Sequence, residues 1–151
     1  MKTARQLPYG EDHIRNLKAV IALNRATSLL NQRAGAVFCR HGLTMQQFAV
    51  LEVLYHRGDL SVGEIIRKIL ATGGNMTVVL KNLAKENFVT KRAEPSDSRV
   101  AIISITAKGR QKIESIFPEY LEDLHNFLES VSDADKDALI RTLKILQRRR
   151  A

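Results

Sequence analysis

The side chains best suited to chemistry lie near the middle of the chain, and their types suit contact with a nucleic acid. The outer face of a predicted helix over residues 74–87 carries these side chains: Asn75, Thr77, Val78, Lys81 and Lys85. An asparagine amide matches the donor and acceptor of an adenine edge, and a valine packs on a thymine methyl. Lysines neutralise phosphates. The pattern predicts a helix that enters the major groove of DNA, with plain solvent exposure of the same residues as the alternative.

Glycines before this helix and basic residues after it extend the predicted surface. Gly73 and Gly74 would let the free N–H groups of the helix N-terminus approach a phosphate. A strand–turn–strand segment follows, with Lys91 and Arg92 before the turn and Arg99 after it. An arginine at the tip of a hairpin suits a narrow minor groove.

Asp97 lies two residues before Arg99 and has two interpretations. Its carboxylate could orient the Arg99 guanidinium towards DNA by an ion pair. Alternatively, the two side chains could only brace the turn.

Patterns typical of catalysis or metal binding are absent from the sequence. It has no Gly-x-Ser-x-Gly, no phosphate-binding loop of the Walker type and no His-Glu-x-x-His. The histidines are scattered along the chain: His13, His41, His56 and His125. We therefore predict no enzyme activity, no cofactor and no metal site.

The only cysteine, Cys39, excludes an internal disulfide and a cysteine-based zinc cluster. Its neighbours Arg40 and His41 could favour the thiolate and so allow redox sensing. We expect instead that Cys39 is a small buried apolar residue.

Composition and charge also favour a nucleic-acid partner. The chain has 151 residues, a net charge of +8 and a hydrophobic fraction of 44%, and its pI is about 9.9. Such a chain suits one folded domain whose basic surface attracts a polyanion. Neither a membrane-spanning apolar run nor a signal core is visible, so we expect a cytoplasmic protein without a membrane partner.

The order of elements predicts a mainly α-helical fold with a small β-hairpin. Residues 1–43 read as an N-terminal helical dimerisation arm, residues 44–105 as a winged helix-turn-helix lobe, and residues 106–151 as a C-terminal helical dimerisation region, together one structural unit. The first helix, over 11–39, looks longer than a small domain needs. The alternative is a surface helix broken near Gly35, and Pro118 should kink or divide a later helix.

Local signals place the elements of the lobe. Thr44–Gln47 and Ser61–Glu64 have the form of capping boxes, each opening a helix. A turn with two glycines separates the second of these helices from the helix over 74–87. The β-branched run over 99–105 completes a hairpin with residues 88–92.

These segments resemble the MarR family of bacterial transcription regulators over residues 60–106 without gaps. The matching motifs are Leu60-Ser61-Val62-x-Glu64, Lys81-Asn82-Leu83-x-Lys85-x-Asn87-Phe88-Val89, Arg92-x-x-Pro95-x-Asp97-x-Arg99 and Ile105-Thr106-x-x-Gly109. The helical flanks fit in length and order. Asn87 replaces the usual glycine, and asparagine is the next best residue for a left-handed cap.

The resemblance implies a homodimer on a near-palindromic operator in double-stranded DNA. Recognition helices would occupy successive major grooves, and Arg99 of each wing would enter a flanking minor groove. A small lipophilic or phenolic effector would release the DNA. Thr77 and Arg92 would lie close to where anionic effectors bind. Gly74-Asn75 and Val78 depart from the usual Ser-Thr and arginine of the family, which affects the operator sequence rather than the fold.

The effector cleft is expected between the helical arms and the lobe. Its candidate lining residues, which would otherwise be core, are Leu17, Phe38, Phe48, Leu51, Tyr55 and Phe117. The leading hypothesis is thus a dimeric repressor that responds to an effector. The alternatives are a regulator switched through Cys39 and a winged-helix protein-interaction module that does not bind DNA.

Overall fold

The computed structural model describes residues 10–69, 73–94 and 97–148. The elements in these ranges are α1 (Glu11–Arg40), α2 (Met45–Arg57), β1 (Leu60–Ser61), α3 (Val62–Ile69), α4 (Gly73–Lys85), β2 (Val89–Glu94), β3 (Asp97–Ile105), α5 (Ala107–Leu128) and α6 (Asp133–Arg148). The predicted fold class, mainly α with a small hairpin, is confirmed. Parts of the predicted turn before α4 and of the hairpin tip, and Arg149 and Arg150, lie outside the described residues.

Two capping boxes begin the first helices of the lobe, as predicted. At α2, the Gln47 backbone N–H donates to Thr44 Oγ1 at 3.2 Å, and the Thr44 N–H donates to Gln47 Oε1 at 2.8 Å. At α3, the Ser61 N–H and hydroxyl both donate to Glu64 Oε2, at 2.9 and 2.7 Å. These bonds from Ser61 favour the carboxylate and lower the pKa of Glu64.

The hairpin belongs to a three-stranded antiparallel sheet with the order β1-β3-β2. In the register of β2 and β3, Val89 faces Ile105 and Arg92 faces Ile102, with an irregularity between Ala93 and Glu94. No sequence pattern predicted β1, in which Leu60 pairs with Ile103. This strand ties the start of α3 to the base of the hairpin.

The core of the lobe is closed by aromatic rings from three helices. Phe38 of α1 stacks on Phe48 of α2 with centroids 3.8 Å apart, and Tyr120 of α5 meets Phe38 edge-on at 5.0 Å. Ile113 and Ile116 of α5 are fully buried beside them. The end of α1 and most of α5 thereby form one packed body with the winged lobe.

Neither predicted interruption divides a helix. α1 runs unbroken through Gly35 for 30 residues, so the alternative of a broken surface helix is wrong. α5 continues through Pro118 for 22 residues. The Pro118 ring is exposed on the surface of the helix. α1 and α5 are therefore each one continuous helix.

The start of α5 is locked to the end of α4 by the Thr106-x-x-Gly109 motif. The Thr106 hydroxyl donates to the Asn87 carbonyl at 2.7 Å and accepts from the Gly109 N–H at 3.0 Å. Asn87 has φ of 58°, the left-handed conformation predicted for this position. The buried Gly109 allows the backbone of α5 to lie directly against Phe88.

α6 and the first part of α1 present apolar side chains to solvent in the single chain. Leu17, Val20, Ile21, Leu23 and Leu29 of α1, and Leu139, Ile140, Ile145 and Leu146 of α6, are each 40–59% exposed. None of the described residues of α6 is buried. These two faces, named here the arm faces, have the composition of surfaces that pack against another protein.

Two ion-pair clusters join α1 to α5. Arg33 makes a two-point contact with the Asp123 carboxylate, with Nη2 to Oδ1 at 2.7 Å and Nε to Oδ2 at 3.3 Å. One turn earlier in α5, Glu119 accepts from Arg40 Nε at 2.8 Å and lies 2.7 Å from His41 Nε2. Hydrogen bonds from Arg40 and then His41 lower the pKa of Glu119 below its ordinary value of 4.5.

This lowered pKa predicts a stability difference that depends on pH. A carboxyl with a depressed folded-state pKa stabilises the protein above its unfolded pKa, and this contribution is lost as the pH falls through the folded value. We expect Glu119→Gln to lower the urea midpoint at about pH 7, with the difference from wild type shrinking below about pH 4.5. Glu122→Gln is the control, since Glu122 makes no ion pair among the described residues. A difference for Glu119→Gln that is constant with pH would contradict the account.

Candidate nucleic-acid interface

α4 turns an apolar face inward and a polar face outward. Met76, Val79, Leu80 and Leu83 are buried against the lobe, at the spacing of one helix face. The residues turned outward and exposed are those predicted: Asn75, Thr77, Val78, Lys81 and Lys85. Gly73 and Gly74 form the first turn of the helix. The structure therefore gathers these candidate contact residues on one helix.

Asn75 has a side-chain partner that the sequence did not reveal. Its Nδ2 donates to Oε1 of Gln46, in the first turn of α2, at 2.6 Å. The two residues are separated by 29 positions, and no local pattern joins them. The pair lies beside a cavity of about 330 Å³ between α2 and α4, which Val78 and Asn82 also line.

The hairpin concentrates positive charge in one groove. Lys91, Arg92 and Arg99 line a cavity of about 320 Å³ together with Ala93, Val100 and Ala101. Arg92 Nη2 lies 3.3 Å from Asp59 Oδ2, which ties the hairpin to the turn before β1. The predicted pairing of Asp97 with Arg99 involves an Asp97 side chain outside the described part of the structure. A basic hairpin beside a polar helix face is an arrangement suited to DNA.

Comparison with known proteins decides the family. The sequence model described as "Transcriptional regulator SarA/Rot" matches residues 36–116, more than half of the chain. The "HTH-type transcriptional regulator MhqR" of Bacillus subtilis (strain 168) is 33% identical over 130 residues, which cover 86% of this chain and 90% of the relative. The chain belongs to the MarR/SarA family of winged-helix transcriptional regulators.

Solved structures agree with this membership at the level of the fold. A MarR-like transcription regulator from Bacillus cereus ATCC 10987 superposes with a TM-score of 0.80 and 18% identity, covering 91% of this chain and 99% of that one. Bordetella bronchiseptica BpsR, whose DNA binding is regulated by 6-hydroxynicotinic acid, superposes with a TM-score of 0.74 and 22% identity. The match covers 86% of this chain and 98% of that one. The predicted MarR resemblance is confirmed, and the chain is a DNA-binding regulator rather than an enzyme.

The MarR/SarA-type lobe brings together only some of the residues predicted to line an effector cleft. Phe38, Phe48 and Leu51 are at most 2% exposed and act as core in this conformation. Tyr55 and Phe117 are half-buried and meet edge-on at 5.7 Å.

The remaining predicted effector residues lie on separate elements of the same lobe and arm. Leu17 is 48% exposed on α1. Thr77 and Arg92 are exposed on α4 and β2. The structure thus brings the aromatic members together and leaves the other three apart.

A cavity that sequence reasoning missed lies between α2 and α3. It has a volume of about 420 Å³ and is lined by Ala49, Glu52, Val53, His56, Arg57, Lys68 and Ile69. Burial raises the pKa of Glu52, and the nearby His56 partly offsets this effect. Three apolar residues line the cavity together with the half-buried Glu52 carboxyl and three potential cations, His56, Arg57 and Lys68.

The expectation that Cys39 is buried is wrong. Cys39 lies in the last turn of α1 with its thiol exposed. The helix places Val37 and Phe38 towards the core, and the next residue therefore falls on the solvent side.

Within the described ranges, no group of three or more His, Cys, Asp or Glu side chains is arranged to hold a metal ion. No described helix is long and apolar enough to cross a membrane.

Proposed function

We propose that the chain is a homodimeric, sequence-specific DNA-binding repressor that a small lipophilic or phenolic effector releases from its operator. The observation that carries this proposal is the outward polar face of α4 beside a hairpin that groups Lys91, Arg92 and Arg99. Family membership supports the DNA-binding part. Such a protein would act in the cytoplasm, where it meets the chromosome.

In the proposed complex, α4 enters the major groove and the hairpin contacts the flanking minor groove. Asn75, Thr77 and Val78 would meet base edges, since they occupy the exposed side of the helix. Lys81, Lys85, Lys91 and Arg92, with the N–H groups at Gly74, would meet phosphates. Arg99, oriented by Asp97, would enter the minor groove.

The arm faces support the dimer. Residues 1–43 and 106–151 would pair with the same segments of a second copy, leaving residues 44–105 of each chain free for DNA. Burying an exposed valine, leucine or isoleucine stabilises an interface by about 1.5–3 kcal/mol, and the arm faces carry nine such apolar side chains. Two lobes related by a two-fold axis would read half-sites about one helical turn apart.

The effector would bind between the arms and the lobe. The candidate lining residues are Leu17, Phe38, Phe48, Leu51, Tyr55, Thr77, Arg92 and Phe117. Because several of these are core in the present conformation, binding there requires the helices to separate, which would change the spacing of the lobes. The α2–α3 cavity beside Glu52 offers a second entry point. Regulation of DNA binding by 6-hydroxynicotinic acid in BpsR supports a small-molecule effector.

A salt-dependent titration with an Arg99 variant tests the DNA-binding part. We expect the full chain to bind duplex from its own upstream region more tightly than scrambled duplex, with affinity falling steeply with salt. Arg99→Ala should weaken operator binding by about 1–3 kcal/mol. Arg141→Ala, at an exposed arginine of α6, is the control. Undiminished operator affinity in Arg99→Ala would contradict the proposed minor-groove contact. Equal affinity of the wild type for both duplexes would contradict sequence specificity.

The exposed thiol of Cys39 favours a second proposal, a redox-switched regulator. Peroxide would then release DNA from the wild type but not from Cys39→Ser. A chain that binds no duplex at all would instead favour the winged-helix protein-interaction module.

A further inference from the structure

The contact between Asn75 and Gln46 joins the proposed recognition helix to a neighbouring helix. Asn75 Nδ2 donates to Gln46 Oε1 at 2.6 Å, a short and direct hydrogen bond. Asn75 is exposed and Gln46 is half-buried. The bond thus links a side chain that would meet DNA to one that is partly enclosed by protein.

Both backbones that carry this pair are held in place. Gln46 follows the capping residue Thr44 by two positions, inside the turn that the Thr44–Gln47 capping box closes. Asn75 is next to Met76, which is 1% exposed and anchors α4 in the core. The hydrogen bond therefore joins a residue inside a capping box to the neighbour of a buried anchor, and it orients the Asn75 amide in this structure.

The orientation of the Asn75 amide determines which base its donor and acceptor can match. A carboxamide has two N–H donors on nitrogen and one acceptor oxygen. In the structure Gln46 presents its oxygen, an acceptor, and the Asn75 amide meets it with its nitrogen. One N–H and Oδ1 then remain for DNA, and adenine requires this combination: an acceptor for its N6 amino group and a donor for N7.

We propose that Gln46 is a positioning residue that holds the Asn75 amide in the orientation needed to read adenine in the major groove. This inference rests on the proposed DNA-binding function. Without Gln46, the Asn75 amide can rotate by half a turn and exchange its donor and acceptor positions. The helix and the phosphate contacts stay the same, so the loss is confined to the base that Asn75 reads.

The test is selection of duplexes from a randomised library by the full-length wild type and four variants in parallel. The variants are Asn75→Ala, Gln46→Ala, Gln46→Glu and the control Gln111→Ala, which removes an exposed glutamine from α5. We expect the wild-type consensus to contain one adenine per half-site that disappears in Asn75→Ala. Discrimination at that position should fall about tenfold or more in Asn75→Ala and about three- to tenfold in Gln46→Ala.

Gln46→Glu distinguishes positioning from a merely structural role. Its carboxylate still accepts from Asn75, so the adenine preference should persist even where the added charge weakens overall affinity. As a chemical check, 7-deaza-adenine at the selected position removes the N7 acceptor. It should weaken wild-type binding and leave Asn75→Ala unchanged.

Each outcome of the selection bears on the inference. A wild type that selects no sequence overturns the proposed function and this inference with it. If the wild type selects a specific sequence and Asn75→Ala selects the same consensus, Asn75 does not read a base, while the proposed DNA-binding function stands. Loss of the adenine in Asn75→Ala, with full discrimination kept in Gln46→Ala, overturns the positioning role of Gln46.

Discussion

Gly109→Ala is expected to destabilise the protein by about 3 kcal/mol, because an overpacked buried site must shift its backbone. A Cβ at this position would lie 2.2 Å from the Phe88 carbonyl oxygen and 2.8 Å from Ile105 Cγ1. The Phe88 oxygen is itself fixed, since it accepts the Thr106 N–H at 3.0 Å. Relief of the clash therefore requires α5 to move away from the hairpin or the Thr106 bond to break.

Urea unfolding of the purified variant measures this effect. Gly35→Ala in α1 is the matched control, because its nearest contact would be Met45 Cε at an ordinary 4.0 Å. Alanine in an open helical site should stabilise by about 0.5–1 kcal/mol. If the free energy of unfolding of Gly109→Ala lies within about 0.5 kcal/mol of the wild-type value, the close approach of Gly109 to Phe88 does not constrain the fold.

Leu139→Glu in α6 is expected to dissociate the proposed dimer and to lower operator affinity roughly 100-fold or more. Leu139 is 49% exposed and lies on the apolar side of a helix that buries no described residue in the single chain. A carboxylate in that face would have to be desolvated in the dimer without a partner. A monomer would keep only one lobe on DNA and would lose the gain from binding two linked half-sites.

Sedimentation of the free protein and titration of the operator measure the two consequences of Leu139→Glu. Ala134→Glu adds the same group to the same helix five residues earlier, about 140° around the axis, and should remain dimeric. A Leu139→Glu protein that stays dimeric with full affinity would show that α6 does not pair the chains.

Local sequence signals predicted those parts of the fold that depend on neighbouring residues. The capping residues Thr44 and Ser61 act within one helical turn, so their partners are visible in the sequence. The inward face of α4 follows from helical periodicity, and Asn87 from the few residues that tolerate a positive φ.

Features that depend on distant parts of the chain were not predictable in this way. β1 has two residues, too few for a periodic pattern, and forms because β3 offers it an edge. The Asn75–Gln46 bond and the α2–α3 cavity arise where two helices meet. The exposure of Cys39 depends on which side of α1 packs against α5, which its immediate neighbours do not specify.

The central claim is that a two-fold dimer places two lobes on one face of DNA. It is tested most directly by measuring how binding depends on the spacing between the half-sites. The measurement is a titration of the full chain on its selected operator and on the same duplex with about five base pairs inserted at the centre, half a helical turn. The insertion turns one half-site to the opposite face, so affinity should fall roughly 100-fold. Equal affinity for both duplexes would contradict the paired lobes and leave a protein that binds each half-site alone.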